Sequence, residues 1–290
     1  MLLTYVLIFV LAIFAGILGA LVGIGGGIII VPALALLLNI PIHQAVAASL
    51  VSVIATSIAG AHTYVEQQIT NVRLGMFLEV STTLGALVGA VLALVLSGWV
   101  ISIVFGILVM TMAIFSYVTR SHDDKINFNE ERINENAKLE SYLNITSKYY
   151  DKALDKEIHY VAHRPVAGSS ISFIAGVGSG LLGIGGGILK VTAMNALMKI
   201  PMKVAVATSK FMIGLTAATS AIIYFISGTI NFFIVAPVAI GTMAGATLGS
   251  LLMNRFKSKT IKLIFTIVAS YLAFRMLLKG LSDGFGINIF

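Results

Sequence analysis

Gly23-Ile24-Gly25-Gly26-Gly27 interrupts a long apolar run, and the same string returns as Gly183-Ile184-Gly185-Gly186-Gly187. Each copy is followed by a short apolar segment and a break, Asn39-Ile40-Pro41 in one case and Lys199-Ile200-Pro201 in the other. At the spacing of the two strings, without a gap, much of the chain repeats itself. Val31 matches Val191, Ala45-Val46-Ala47 matches Ala205-Val206-Ala207, Ser49 matches Ser209, and Thr56 matches Thr216. Tyr64 matches Tyr224, Asn71 matches Asn231, and Gly85-Ala86 and Gly89 match Gly245-Ala246 and Gly249. Chance likeness between apolar stretches is common. A glycine and proline register held over several helices marks an internal duplication.

Composition places the chain in a membrane. Hydrophobic residues are 58% of its 290 residues and charged residues 11%, with a mean hydropathy of +0.99; soluble domains carry about a quarter charged residues. The apolar runs recur along the whole chain, so this is not one anchor on a soluble body. Met1 to Leu21 lacks a basic leader and an obvious cleavage site, and is read as a spanning segment. The chain has no cysteine, which excludes disulfides, thiolate metal sites and cysteine nucleophiles.

Each half holds five apolar stretches: Leu2–Val22, Gly27–Leu38, Ile42–Tyr64, Val72–Leu96 and Val100–Thr119, then Val166–Leu182, Gly187–Met198, Met202–Ile226, Phe232–Met253 and Thr260–Leu281. A spanning helix needs about 20 residues, so Gly27–Leu38 and Gly187–Met198 are too short to cross. Each is expected to pair with the segment before it as a broken or re-entrant unit. Irregular backbone at membrane depth persists only where protein buries it or a cavity borders it, so the glycines belong inside. The expected fold is an all-α polytopic membrane protein of two inverted-topology repeats, 1–119 and 165–290. Each has a glycine-broken element plus about three spanning helices, and a polar linker, 120–164, joins them.

Charge supports the inversion. Nine of the 12 acids lie between Arg120 and Arg164, together with many bases. Outside that stretch only Glu66, Glu79 and Asp283 are acidic, so the net charge of +7 belongs to the membrane part and its loops. Arg255, Lys257, Lys259 and Lys262 cluster between the last two helices, whereas the equivalent Ser97-Gly98-Trp99 is uncharged. Basic loops stay in the cytoplasm. This puts the linker inside, both termini outside, and the chain in the plasma (inner) membrane; Arg275 and Lys279 run against that assignment. The linker itself reads as a helical hairpin or amphipathic surface segment, with an apolar face of Tyr142, Leu143, Ile145, Tyr149 and Leu154. No basic stretch carries interleaved aromatics, so nucleic acid is not a partner.

The glycine strings have a chemistry of their own. Gly27 and Gly187 stand where short helices begin, with unpaired N–H groups and the positive end of the helix dipole. Glycine admits positive φ and close approach of a ligand to the backbone. Two such starts, Gly25, Gly26 and Gly27 facing Gly185, Gly186 and Gly187, would cradle a tetrahedral oxoanion. Close helix packing by small residues is the plainer reading of one string alone; the repetition and the short flanking segments favour a site. Lys190 and Lys210 interrupt apolar runs where the first half has Ile30 and Leu50. A lysine at such depth is costly and points to an anion path, although a long side chain also snorkels to the interface. Ser49 and Ser209 are equivalent hydroxyls that would border the path or bond their own backbone. Glu79, the one acid within an apolar span, would carry a coupling proton or pair structurally with a lysine. His43 and His62 read as packed or interfacial, and His122, His159 and His163 lack metal-ligand spacing. No metal or other cofactor is expected.

GxGGG followed by Val31-Pro32, Ile40-Pro41 and Ala45-Val46-Ala47-Ala48-Ser49, repeated as Gly183 to Gly187 and Ala205-Val206-Ala207-Thr208-Ser209, resembles the TauE/SafE family of sulfite exporters and related anion permeases. The resemblance covers nearly all of the membrane part but not the linker. It departs at Thr192, where a proline follows Val191 in the family pattern, and at Lys210, where the family usually has an apolar residue. It implies transport of a sulfur-containing anion such as sulfite, thiosulfate or an organosulfonate. The function expected is a secondary transporter working by alternating access in the export direction; the alternatives are an anion channel or a permease for another small organic anion. Paired carboxylates, metal spacing and a Ser/His/Asp set are all missing, so no enzyme is expected. No ATPase motif is present, and an inside-negative potential favours anion exit by about 2.3 kcal/mol per charge at 100 mV. The expected partners are the anion, the lipid bilayer and a coupling proton or sodium ion; a homo-oligomer is compatible with the sequence.

Overall fold

A computed structural model describes residues 2–22, 25–66, 68–119, 146–151, 156–252 and 258–286. The first half contains α1 (Leu2–Val22), α2 (Gly27–Pro32) running into a π turn (Ala33–Leu37), α3 (Ile42–Glu66), α4 (Val72–Val95) and α5 (Gly98–Thr119). Two short strands follow, β1 (Thr146–Asp151) and β2 (Lys156–Val161). The second half contains α6 (Pro165–Leu182), α7 (Gly187–Thr192) with its π turn (Ala193–Leu197), α8 (Met202–Ile226), α9 (Phe232–Leu252) and α10 (Ser258–Phe285). Seven of these helices are long and apolar enough to cross a membrane, and α5 is apolar over Gly98–Ile114. The chain is thus a multi-pass helical membrane protein. Large apolar side chains such as Val80, Leu84 and Val95 on α4, and Phe232, Ile240 and Leu251 on α9, face outward, as lipid-facing surfaces require.

The two broken helices are built alike. Both are capped at the start by a left-handed glycine, Gly26 (φ 76°) and Gly186 (φ 65°). Both end in a π turn followed by a left-handed residue, Asn39 (φ 51°) or Lys199 (φ 53°). Ile40 N–H then bonds the Leu34 carbonyl at 3.1 Å, and Ile200 N–H bonds that of Met194 at 3.0 Å. Pro32 precedes the first π turn but Thr192 precedes the second, so proline is not what widens the helix.

The halves interleave. On α4, Gly85 and Gly89 lie against the Phe173 and Val177 carbonyls of α6, and Gly176 of α6 lies against the Thr82 carbonyl of α4. On α9, the equivalent Gly245 and Gly249 lie against the Ile13 and Ile17 carbonyls of α1, and Gly16 lies against Thr242. A Cβ at any of these glycines would strike backbone, so glycine is what lets each pair close. Residue numbers rise together along both seams, so the paired helices run parallel. The equivalent helices α5 and α10 cross the opposite way: Gly106 meets Ala273 and Leu277, while Gly280 and Gly284 meet Trp99. The equivalent α3 and α8 are also antiparallel, with Gly60 beside Lys210 and Gly214 beside Ser57.

The described part of the linker corrects the helical expectation: it is an antiparallel pair of strands, with Tyr149 opposite Ile158 and Lys148 opposite His159. The cause is period-two patterning in residues of high strand preference. Tyr149, Ile158, Tyr160 and Ala162 pack on Leu74, Leu78, Met194, Met198, Val204 and Met212. On the outer face Lys148 Nζ pairs with Glu157 at 2.8 Å. Tyr142, Leu143, Ile145 and Leu154, named above for an apolar face, lie outside the described residues, as do Arg255, Lys257, His122, Gly23, Ile24 and the side chain of His62.

Candidate functional site

The glycine strings meet at the centre of the molecule. Gly27, the first residue of α2, packs directly on the Gly183 carbonyl and on Ile184 of the second string. Gly26 and Gly27 are buried, and so are Gly183 to Gly187; Gly25 is half-buried. The left-handed φ values of Gly25 (90°), Gly26 (76°), Gly183 (71°), Gly185 (72°) and Gly186 (65°) turn the chain into each short helix, a conformation open to glycine without the Cβ penalty.

Hydroxyls from the two long central helices hold the strings. Ser49 Oγ on α3 donates to the Gly183 carbonyl at 2.7 Å, and Ser209 Oγ on α8 donates to the Gly187 carbonyl at 3.3 Å. Thr56 Oγ1 donates to the Gly25 carbonyl at 3.2 Å. These side chains therefore fix carbonyls of the strings, and the string's carbonyl groups are turned toward α3 and α8.

Lys190 and Glu79 come together. Lys190 is 0% exposed and Glu79 6%. Lys190 Nζ donates to Thr216 Oγ1 at 2.6 Å, and Thr216 Oγ1 lies 2.8 Å from Glu79 Oε1, which also accepts from Thr83 at 3.2 Å. Lys190 Nζ stands 3.8 Å from Glu79 Oε2, and that oxygen has no hydrogen-bond partner. The main-chain N–H of Lys190 bonds the Gly186 carbonyl at 3.2 Å, so the ion pair sits one turn from the start of the second broken helix. The equivalent positions of the other half are Ile30, Thr56 and Ala239, the last on α9.

Lys210 is placed elsewhere. Its half-buried side chain runs along Gly60 of α3, with Nζ 3.9 Å from where a Cβ would stand, and Ser57 Oγ donates to its carbonyl at 2.5 Å. Two residues acquire roles that local sequence did not signal. Lys279 of α10 donates to the Ala35 carbonyl in the first π turn at 2.6 Å, so this cation serves the broken helix instead of marking a loop. His43 Nε2 lies 3.0 and 3.2 Å from the Ala93 and Leu96 carbonyls at the end of α4. At the far end of the second broken helix the strands take the corresponding place: His163 N–H bonds the Met198 carbonyl at 3.1 Å.

The start of the first broken helix lies against the turn that leads into the second, inside a shell of apolar helices, and the profile described as Sulfite exporter TauE/SafE matches residues 8–276. The chain belongs to this TauE/SafE family. It is 28% identical over 285 residues to the probable membrane transporter protein YunE of Bacillus subtilis, covering 96% of this chain and 99% of that protein. It is 22% identical over 247 residues to the probable membrane transporter protein YdhB of the same organism, covering 85% and 89%. No solved structure matches. Family and relatives make the chain a membrane transporter.

Proposed function

We propose that this TauE/SafE transporter carries a sulfur-containing anion, such as sulfite, thiosulfate or an organosulfonate, out of the cell by alternating access between two inverted repeats, 1–119 and 165–290. The observation that carries the reading is the contact of Gly27 with Gly183 and Ile184, which sets one helix start against the buried turn that leads into the other. Helix starts are ready-made anion sites, and discontinuous helices at a repeat interface are where carriers bind. Gly25 to Gly27, Gly185 to Gly187 and Lys190 supply donors and positive charge; Ser49 and Ser209 hold the strings. Lys210 acts, if at all, from the α3–α8 seam.

The antiparallel crossing of the equivalent pairs α3–α8 and α5–α10 supports inversion, since repeats related about the membrane normal would run parallel. The broken helices also end on different neighbours, Lys279 of α10 for one and the strands for the other. With the linker 120–164 in the cytoplasm, both termini lie outside. Burial of Gly26, Gly27 and Gly183 to Gly187 favours a carrier over a channel, because the anion reaches them only when the halves move.

The test is flux into proteoliposomes of sulfite, thiosulfate, 2-hydroxyethanesulfonate, taurine and acetate. Wild type should move one of the sulfur anions saturably and Gly187→Val should not. Sulfur-anion flux no faster than in empty liposomes, or untouched by the substitution, overturns the reading, and single-channel currents would favour the channel.

A further inference from the structure

Among the described residues, Glu79 and Lys190 are the buried charged side chains. A buried ion pair gains little over a well-packed apolar pair, because both charges lose their hydration. The chain supplies its own comparison. The first half builds the same broken helix, with the same left-handed glycine cap and the same π turn, using Ile30 in place of Lys190, and Ala239 stands at the position equivalent to Glu79. The fold therefore does not require the charges. What distinguishes the second site is a carboxylate oxygen, Glu79 Oε2, that is buried and accepts no hydrogen bond. Beside it stands an ammonium one turn from the helix start, joined to the same carboxylate through Thr216.

We propose that Glu79 is the proton-coupling residue of this transporter and that its carboxylate occupies, in the anion's absence, the charge position the anion takes at Lys190. The proposal rests on the transport reading above. Lys190 keeps its three N–H donors throughout. With Glu79 ionised, the pair is internally neutral and a second anion meets a negative neighbour. Proton binding at the open Oε2 turns the carboxylate into a neutral acid, and Lys190 is left with a full positive charge for the incoming anion. One proton and one monoanion bind and leave together, so the site is neutral in both forms that cross.

Among the described residues, no second charged group acts on Glu79. Lys190 is the charged residue acting on Glu79, and the remaining contacts are the Thr216 and Thr83 hydroxyls. The neighbouring helix α6 carries no titratable side chain between Pro165 and Leu182. On α8, Lys210 lies along Gly60, Tyr224 Oη donates to the Gly180 carbonyl at 3.2 Å, and Lys203 is in the first turn. On the linker side Tyr160 binds Asn71, about two turns above Glu79 along α4.

A consequence separates this mechanism from simple anion exit. A monoanion that travels with a proton moves no net charge, so the membrane potential drops out of the balance. Export then follows the anion and proton gradients alone.

The experiment uses the full chain in proteoliposomes, with potential and pH gradient set independently by potassium, valinomycin and buffer. The probes are thiosulfate and 2-hydroxyethanesulfonate, which remain ionised across the neutral range and carry no proton themselves. Luminal pH is followed with an entrapped dye. In wild type, a pH gradient should raise 2-hydroxyethanesulfonate flux several-fold, an imposed potential should leave it unchanged, and protons should enter with the anion. Glu79→Gln should lose the pH response. Should that variant not fold, Glu79→Ala/Lys190→Ile installs the residues found at the equivalent positions of the other half, and any flux it retains should ignore the pH gradient. Wild-type flux that follows the potential but not the pH gradient overturns the coupling and leaves the transport reading standing. Unaltered proton coupling in either variant also overturns it. Absence of flux for all sulfur anions overturns the transport reading and this inference with it.

Discussion

Ser49 of the first half donates a 2.7 Å hydrogen bond to the carbonyl of Gly183 in the second. The two glycine strings are thus held together by a side chain as well as by contact. Ser49→Ala leaves that buried acceptor without a partner, which costs about 1–3 kcal/mol. Thermal unfolding in detergent should show the loss, together with slower anion flux; an unchanged melting temperature would contradict the role.

Gly27 and Gly187 are equivalent in sequence but not in tolerance. A Cβ on Gly27 would strike the Gly183 carbonyl, with Ser49 Oγ at 2.8 Å and Ile184 Cα at 3.2 Å. A Cβ on Gly187 would stand 2.6 Å from Ile213 Cδ1, the far end of a flexible side chain. Gly27→Ala should therefore lose at least the roughly 1–3 kcal/mol typical of overpacking, whereas Gly187→Ala should fold and lose transport only. Size-exclusion yield and melting temperature, read beside flux, separate the two effects.

Removing one member of the Lys190–Glu79 pair strands the other. Lys190→Met or Glu79→Ala alone should cost about 3–5 kcal/mol, while Glu79→Ala/Lys190→Ile should return close to wild-type stability. A double-mutant cycle of unfolding free energies gives the coupling; additive losses would show that the two charges do not depend on each other.

The strands dock through Tyr160, whose hydroxyl accepts from Asn71 Nδ2 at 3.0 Å. Burial holds this phenol above its ordinary value, against smaller opposing effects of hydrogen bonds with Ser147 and Asn71. A raised value means that the docked form binds the proton more tightly than the undocked form. Docking strength from this group is then fully present below about pH 10 and is lost as pH climbs through the raised value. Hydrogen-exchange protection factors of residues 156–161, taken relative to the base-catalysed intrinsic rates, should be flat through neutrality and fall in alkali, and Tyr160→Phe should remove the alkaline step.

Much of the helical plan was legible because breaks in apolar runs are local. Asn71 marks the start of α4, and its Oδ1 does accept from Leu74 N–H at 3.0 Å. Gly26, Gly186 and the two Ile-Pro breaks bound the short helices where expected. The strands were missed because their apolar residues are few and alternate, so a helical face drawn through neighbouring residues looked equally good. At the site, the glycine strings declared themselves by repetition. The partnership of Glu79 with Lys190 did not, since the two belong to different helices far apart in sequence. No local pattern told Lys190, at the broken helix, from Lys210, on the α3–α8 seam. Lys279 resembled a loop cation for the same reason: its partner, the Ala35 carbonyl, lies at the other end of the chain.

The parallel seam of α1 with α9 has a consequence for how the protein is made. Gly16 is shaped for Thr242, and Gly245 for Ile13, so α1 leaves the ribosome long before its partner α9 exists. Synthesis proceeds at about 5–20 residues per second; for that interval the notched face of α1 must be covered by lipid, by the insertion machinery or by a provisional neighbour. Assembly of the interleaved halves is a late event, and errors in it would surface as chains inserted in full yet not closed.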